Sequence, residues 1–229
     1  MKCIGIIQGI SLNFNLTDNI DELIMKRRNP IKLISELFDF DGENSKFIFV
    51  ILSLDKVKFS DIVNIIGNVD DAIEIVLSMY WWRMLIPVSS NSLAWNINSP
   101  KLFWNEVYER PLCIKYAFEY LINNGEWDYK YAIKRYLKTI GEKSVESIIK
   151  IIDLILKHRV FKFYVTANII GEALRQIGLS INDFGKIIAE LKFGGIISPV
   201  ISIPLIKIIG NGPIYELNKA LFIKQLSIL

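Results

Sequence analysis

Lys130, Lys134 and Lys138 recur at every fourth position, with Tyr131 and Arg135 beside them. On a helix that spacing brings the five to one face, because residues four apart are neighbours there. Cations in a line can neutralise successive phosphates and a phenol can stack on a base or sugar, so the pattern has the footprint of nucleic-acid contact. A solvated basic face has the same composition. His158, with Lys157, Arg159 and Lys162, makes a second basic cluster, suited to the C-terminus of a preceding helix where cations are favoured.

Enzyme chemistry has little to build on. There is no Walker loop, Gly-x-Ser-x-Gly elbow or His-Glu-x-x-His pair, and Gly210-Asn211-Gly212-Pro213 lacks the strand-to-helix setting of a nucleotide loop. Asp183, Glu190 and Lys192 follow the spacing of a metal nuclease, but on a helix, where that Glu and Lys normally occupy a strand. Asp39, Asp41 and Glu43 around Gly42 miss the calcium-loop spacing and read as a polar turn. Cys3, Cys113 and His158 are the only Cys and His residues, so a structural zinc site would have to recruit carboxylates. The expectation is a protein that is not an enzyme and uses no metal and no cofactor.

Composition agrees with a binding body. The chain has 229 residues, 27 Lys plus Arg against 24 Asp plus Glu, a net charge of +3, and 52% apolar and 22% charged residues. That is a soluble globular balance, too mildly basic to name a nucleic-acid partner. Two distant cysteines argue against a disulfide framework and for a reducing, cytoplasmic setting. No uncharged run reaches the length of a membrane span, and the apolar N-terminal run is broken by Gln8 with no cleavage site behind it, so neither membrane nor secretory leader is expected.

The elements that must position these residues repeat. Residues 45–54 are apolar with helical spacing, 57–59 are extended, and Ser60 caps a helix that stops at Gly67. Residues 145–157 are helical, 161–165 are extended and aromatic, and Thr166 caps a helix that stops at Gly178. Asn68 then caps a third helix with Asp71 in its first turn, as Ser180 does with Asp183. Each third helix runs into a β-rich ribbon: 85–88, a Ser-Ser-Asn-Ser turn and 93–97 in the first, 196–209 and 214–217 in the second. Between the two lie a helix started by Pro111 and running to Asn123, and another from Tyr129 to Ile140 ended by Gly141.

Helix, short strand, helix, helix, hairpin is the order of a winged helix, and the chain resembles a tandem winged-helix protein. The expected class is mainly α with small antiparallel β hairpins. Its divisions are an N-terminal segment 1–42, a first module 43–98, a helical connector 99–142 and a second module with C-terminal tail 143–229. The resemblance implies activities ranging from DNA binding to protein assembly.

Winged helices usually read DNA with the third helix, so its outward face should be polar and positive. In the first module, Val69, Ala72, Ile73, Val76, Leu77 and Tyr80 form a core stripe, and Ile75, Met79 and Trp82 widen the apolar arc to roughly 220°. Asp70, Asp71, Glu74 and Ser78 remain outward, a face that repels phosphate. Ile75, Met79 and Trp82 are therefore expected to be covered, by the rest of the chain, by a partner protein or by a second copy. In the second module, Ile181, Phe184, Ile187, Ile188 and Leu191 point inward, which leaves Asn182, Asp183, Lys186 and Glu190 outside. Asn182 and Lys186 are its candidates for DNA contact, alongside Lys130, Tyr131, Lys134, Arg135 and Lys138 on the connector. Two functions follow: weakly specific DNA binding in transcription or replication, and an assembly subunit whose modules bind proteins.

Overall fold

The computed structural model describes residues 29–90, 95, 102–201 and 212–226. The apolar run 4–16, the basic patch Lys26, Arg27 and Arg28, the expected strand 93–97 apart from Trp95, and the tip of the second ribbon lie outside them.

Helix α1 (Pro30–Phe38) starts at Asn29, whose side chain accepts from the Ile31 and Lys32 amides, and it buries Ile31, Ile34 and Phe38. Helix α2 (Gly42–Leu52) begins earlier than the apolar spacing indicates, because Asp41 accepts from the amides of Glu43 and Asn44 at 2.9 and 2.8 Å. The polar turn read around Gly42 is thus an N-cap. Strand β1 (Lys56–Lys58) leads into α3 (Phe59–Ile66), which starts at Lys58 and not Ser60, with Asp61 accepting from the Lys58 amide. Gly67, at φ 85°, ends that helix. Asn68 caps α4 (Val69–Trp81) as expected, accepting from the Asp70 amide at 2.8 Å.

Strand β2 (Ile86–Pro87) follows, and its partner is β3 (Val107–Glu109), in the stretch read above as the start of the connector. Strand β3 also pairs with β1, Val57 opposite Tyr108, so the first sheet is antiparallel in the order β1-β3-β2. Helix α5 (Leu112–Asn124) begins after Pro111, and α6 (Tyr129–Thr139) is capped by Asp128 through the Lys130 and Tyr131 amides.

The second half repeats the order: α7 (Val145–His158), β4 (Tyr164–Thr166), α8 (Ala167–Gln176) capped by Thr166, α9 (Phe184–Phe193), β5 (Ile197–Pro199) and β6 (Ile214–Leu217). Its sheet is antiparallel in the order β4-β6-β5, the arrangement of the first. Two local readings change. A 3-10 turn over Ile181–Asp183 precedes α9, and Ser180 caps that turn. The stretch read as extended from 161 opens with a tight turn: Val160 and Tyr164 pair across it, while Phe161 and Lys162 hold left-handed φ values of 46° and 66°. A short α10 (Ile223–Leu226) closes the described chain against α1.

One apolar core runs through both halves, from Ile31 and Phe38 through Met79, Phe118 and Tyr136 to Leu174 and Phe222. The fold is mainly helical with two small three-stranded sheets. No helix among the described residues is long and apolar enough to cross a membrane.

Candidate functional site

The basic face of α6 forms where the sequence places it, but it is not free. Lys130 Nζ lies 2.7 Å from Asp153 Oδ2, and the Tyr129 hydroxyl donates to the other oxygen of that carboxylate at 2.8 Å. Lys134 pairs with Glu146 at 2.8 Å and Arg135 with Glu119 at 3.0 Å. Asp153 and Glu146 come from α7 and Glu119 from α5, the two helices that pack on either side of α6. The lysine beside Glu146 holds that carboxyl below its ordinary range. Arg135 also donates to the Tyr131 hydroxyl and lies over the Tyr116 ring, and Tyr131 stacks on Tyr120 with centroids 4.2 Å apart. Among the four cations of this face only Lys138 has no carboxylate within ion-pair distance among the described residues. Tyr131, Lys134, Arg135, Lys138 and Thr139 line an open depression of about 470 Å³.

The second module's candidates separate. Asn182 is exposed on the 3-10 turn before α9, where its amide donates to Ser180 Oγ. Lys186 sits on α9 and is latched: its Nζ lies 2.6 Å from Glu142 and 3.6 Å from Glu190. Lys186 and the Ser144 amide hold the Glu142 carboxyl down to about 2, whereas burial and the neighbouring Glu142 carboxylate push Glu190 up. What α9 turns outward is Gly185, Lys186, Ala189 and Phe193, the last 70% exposed. Ile181, expected inside, is 51% exposed because the 3-10 turn rotates it away from the core.

The first module's third helix is rotated relative to its expected stripe. Ala72, Ile75, Val76 and Met79 are buried, while Val69, Leu77 and Trp81 are exposed. Ile75 and Met79 therefore belong to the chain's own core and present nothing to a partner. Trp82 is half-buried, its ring edge-on to Phe38 at 5.4 Å, and its carbonyl accepts from the Ala220 amide. The apolar arc is wide because one side packs on the domain and the other faces solvent, where it shares the surface with Asp70, Asp71 and Glu74.

A buried polar knot that the sequence reading missed ties the two modules together. Arg83, in the left-handed region just past α4, makes a two-pronged ion pair with Glu216 of β6, Nε and Nη2 at 3.2 and 3.0 Å from the two carboxylate oxygens. Lys219 reaches the same carboxylate at 3.4 Å while its ammonium lies 4.1 Å over Trp81 and 5.2 Å from Phe163. Burial pushes the Lys219 ammonium down from its ordinary range. Asn218 donates to the carbonyls of Arg83 and Gly195 and accepts from the Leu221 amide. From the first ribbon, the Trp95 amide donates to Ser198 Oγ at 2.9 Å. Arg83 and Glu216 stand 133 positions apart, and no local pattern joins them.

The architecture is that of a two-module, mainly helical protein in which a helix–strand–helix–helix unit closed by a three-stranded antiparallel sheet occurs twice. The chain belongs to a protein family whose model matches residues 34–226, a span that takes in both sheets and the connector. No curated protein and no solved structure matches the chain.

Proposed function

We propose that the chain is a tandem winged-helix protein that assembles with other proteins, a binding body and not an enzyme. The observation that carries this reading is the fate of the cations. Lys130, Lys134, Arg135 and Lys186 each face a carboxylate supplied by another element, so contact with a phosphate would first have to break an ion pair. The third helix of the first module offers acid and apolar surface instead, with Leu77 42% and Trp81 49% exposed. Aromatic and aliphatic side chains in such positions are what protein interfaces use for affinity. The buried free thiol of Cys113 fits a reducing, cytoplasmic setting.

DNA binding is the second reading, favoured by the depression beside Lys138. The test is fluorescence anisotropy with labelled duplex DNA, single-stranded DNA and RNA at about 50 and 200 mM salt. The assembly reading expects no complex tighter than about 10⁻⁴ M at physiological salt, the weak end of non-specific binding. A tighter complex that Lys130→Ala, Lys134→Ala and Lys138→Ala together abolish would return the function to nucleic acid.

A further inference from the structure

The outward face of α4 touches, at its apolar end, a turn that carries the opposite charge. At 100° per residue, Asp70, Glu74, Leu77 and Trp81 fall within about 60° of one another, a straight stripe along the helix. Asp71 flanks it. At a rise of 1.5 Å per residue the stripe is about 17 Å long, acidic in its first half and apolar in its second. None of Asp70, Asp71 and Glu74 has a cation within ion-pair distance among the described residues.

The stripe does not stop at Trp81. The ring of Phe163 lies edge-on to it with centroids 6.4 Å apart, and Lys219 is packed against both rings. Phe163 belongs to the tight turn that holds Phe161, 62% exposed, and Lys162. Both residues occupy the left-handed region, which disfavours a side chain. A turn that carries this strain to hold a phenylalanine in water is a place to look for a binding role. Lys157 and His158, exposed at the end of α7, stand beside the turn, and neither they nor Lys162 has a carboxylate partner among the described residues. Arg159 is occupied otherwise, donating to the Leu156 and Gln225 carbonyls.

The order is therefore acid and then apolar along α4, with the basic turn joined to the apolar end through the contact of Phe163 with Trp81. A two-fold rotation about an axis near Trp81 reverses that order, so that acid is set against base on both sides and Leu77 and Trp81 meet their own copies at the centre. We propose that this stripe is the interface of a symmetric homodimer, the occupant of the face being a second copy of the same chain. In it, Asp70 and Glu74 of each protomer oppose Lys162 and Lys157 of the other. Trp81, Leu77 and Phe161 leave water together, and aromatic anchors ringed by charge are the composition of an interface core and rim. The opposed charges fix the direction, since a parallel alignment would set acid on acid. The inference rests on the protein-assembly reading above and gives that reading its partner.

The test is light scattering on the whole chain across a concentration series, with two surface variants. The parent is expected at twice its 26.4 kDa mass. Asp70→Lys with Glu74→Lys makes both ends basic, and Lys157→Glu with Lys162→Glu makes both ends acidic. Each double variant is expected as a folded monomer with the parent's circular dichroism, its self-association weakened at least about tenfold. An equimolar mixture of the two is expected to recover the dimer mass, because every opposed pair is complementary again. A parent that stays monomeric overturns the proposal, as does a mass that climbs without limit, which marks head-to-tail growth. So does a dimer indifferent to both charge reversals, or a mixture that fails to recover. A monomeric parent that also ignores nucleic acid leaves the assembly reading standing, whereas tight nucleic-acid binding removes that reading itself.

Discussion

The two modules share an element order and a sheet order, yet their third helices are put to different use. In the first, α4 is a 13-residue helix with a side-chain cap, buried along Ala72, Ile75, Val76 and Met79 and open along an acidic and apolar stripe. In the second, α9 has 10 residues and no side-chain cap, a 3-10 turn comes before it, and its one outward cation is held by Glu142 from the end of the connector. The inward faces agree because each must close the same kind of small core. The outward faces are free of that requirement, so the same topology carries two unlike surfaces. The modules also differ in attachment: the second is tied to its neighbours by Arg83–Glu216, by the Tyr136 hydroxyl on the Glu190 carbonyl, and by the close seat of Gly194 and Gly195 against Tyr136 and Pro111.

The largest expected effect breaks that attachment. Glu216→Gln leaves Arg83 and Lys219 buried without a counter-charge and should destabilise the chain by about 3–5 kcal/mol. At about 2–4 °C per kcal/mol for a chain of this size, the thermal midpoint should fall by on the order of 10 °C. Lys219→Met sharpens the point: the knot holds two cations on one carboxylate, so this change should be neutral or stabilising in the same melt.

Next comes the contrast between the two sides of α4. Met79→Ala should cost about 2–5 kcal/mol in a urea titration, as a deleted core side chain does, while Leu77→Ala, made in the monomeric Asp70→Lys, Glu74→Lys variant, should change stability by no more than about 0.5 kcal/mol. Equal losses at both positions would mean that the outward stripe is also covered within the monomer.

Gly195→Ala probes the seat between connector and second module. The backbone there holds φ 70°, and a Cβ would overlap the Pro111 ring, so a loss of about 2–4 kcal/mol is expected. Gly178→Ala, also at positive φ but with open space around it, should lose only the backbone part, about 1–2 kcal/mol.

The smallest effect is in pH. Glu142, held down to about 2 from an ordinary 4.5 by Lys186, contributes stability that is complete above pH 4.5 and fades as pH falls toward 2. Glu190 is shifted the other way, so ionising it as pH rises works against the fold. Glu190→Gln should therefore raise stability at neutral pH, and the gain should fade in melts as pH falls below the ordinary carboxylate range. A variant less stable than the parent at neutral pH would show that the ionised Glu190 is a favourable partner of Lys186.

Much of the local fold is legible in the residues. Asn68 and Thr166 cap the helices read from them, Gly67, Gly125 and Gly178 end helices in the left-handed region, and Pro111 precedes a helix. Where the reading slipped, a local competitor was present. Asp41 was a better cap than any residue nearer the apolar run, Asp61 reached back past Ser60, and the wide arc of α4 admitted more than one core stripe, with Ile75 and Met79 joining the expected Ala72 and Val76 in place of Val69 and Leu77. The third strand of the first sheet was missed because a three-residue strand, Val107–Glu109, after a long ribbon leaves almost no period to detect.

The candidate site divides along the same line. That Lys130, Lys134, Arg135 and Lys138 share one face follows from helical geometry and was settled by spacing alone, as were the two helix–strand–helix–helix runs, because caps, turns and periodicity act over a few residues. Whether those cations are free was settled by neighbours: Asp153, Glu146 and Glu119 reach them only because α5 and α7 pack on either side of α6. Arg83 and Glu216 meet across the boundary between modules, and Phe163 meets Trp81 the same way. Ion pairing and exposure depend on how elements cross, and packing decides that through contacts with no counterpart in local sequence, so the charge that a surface presents is a property of the folded chain.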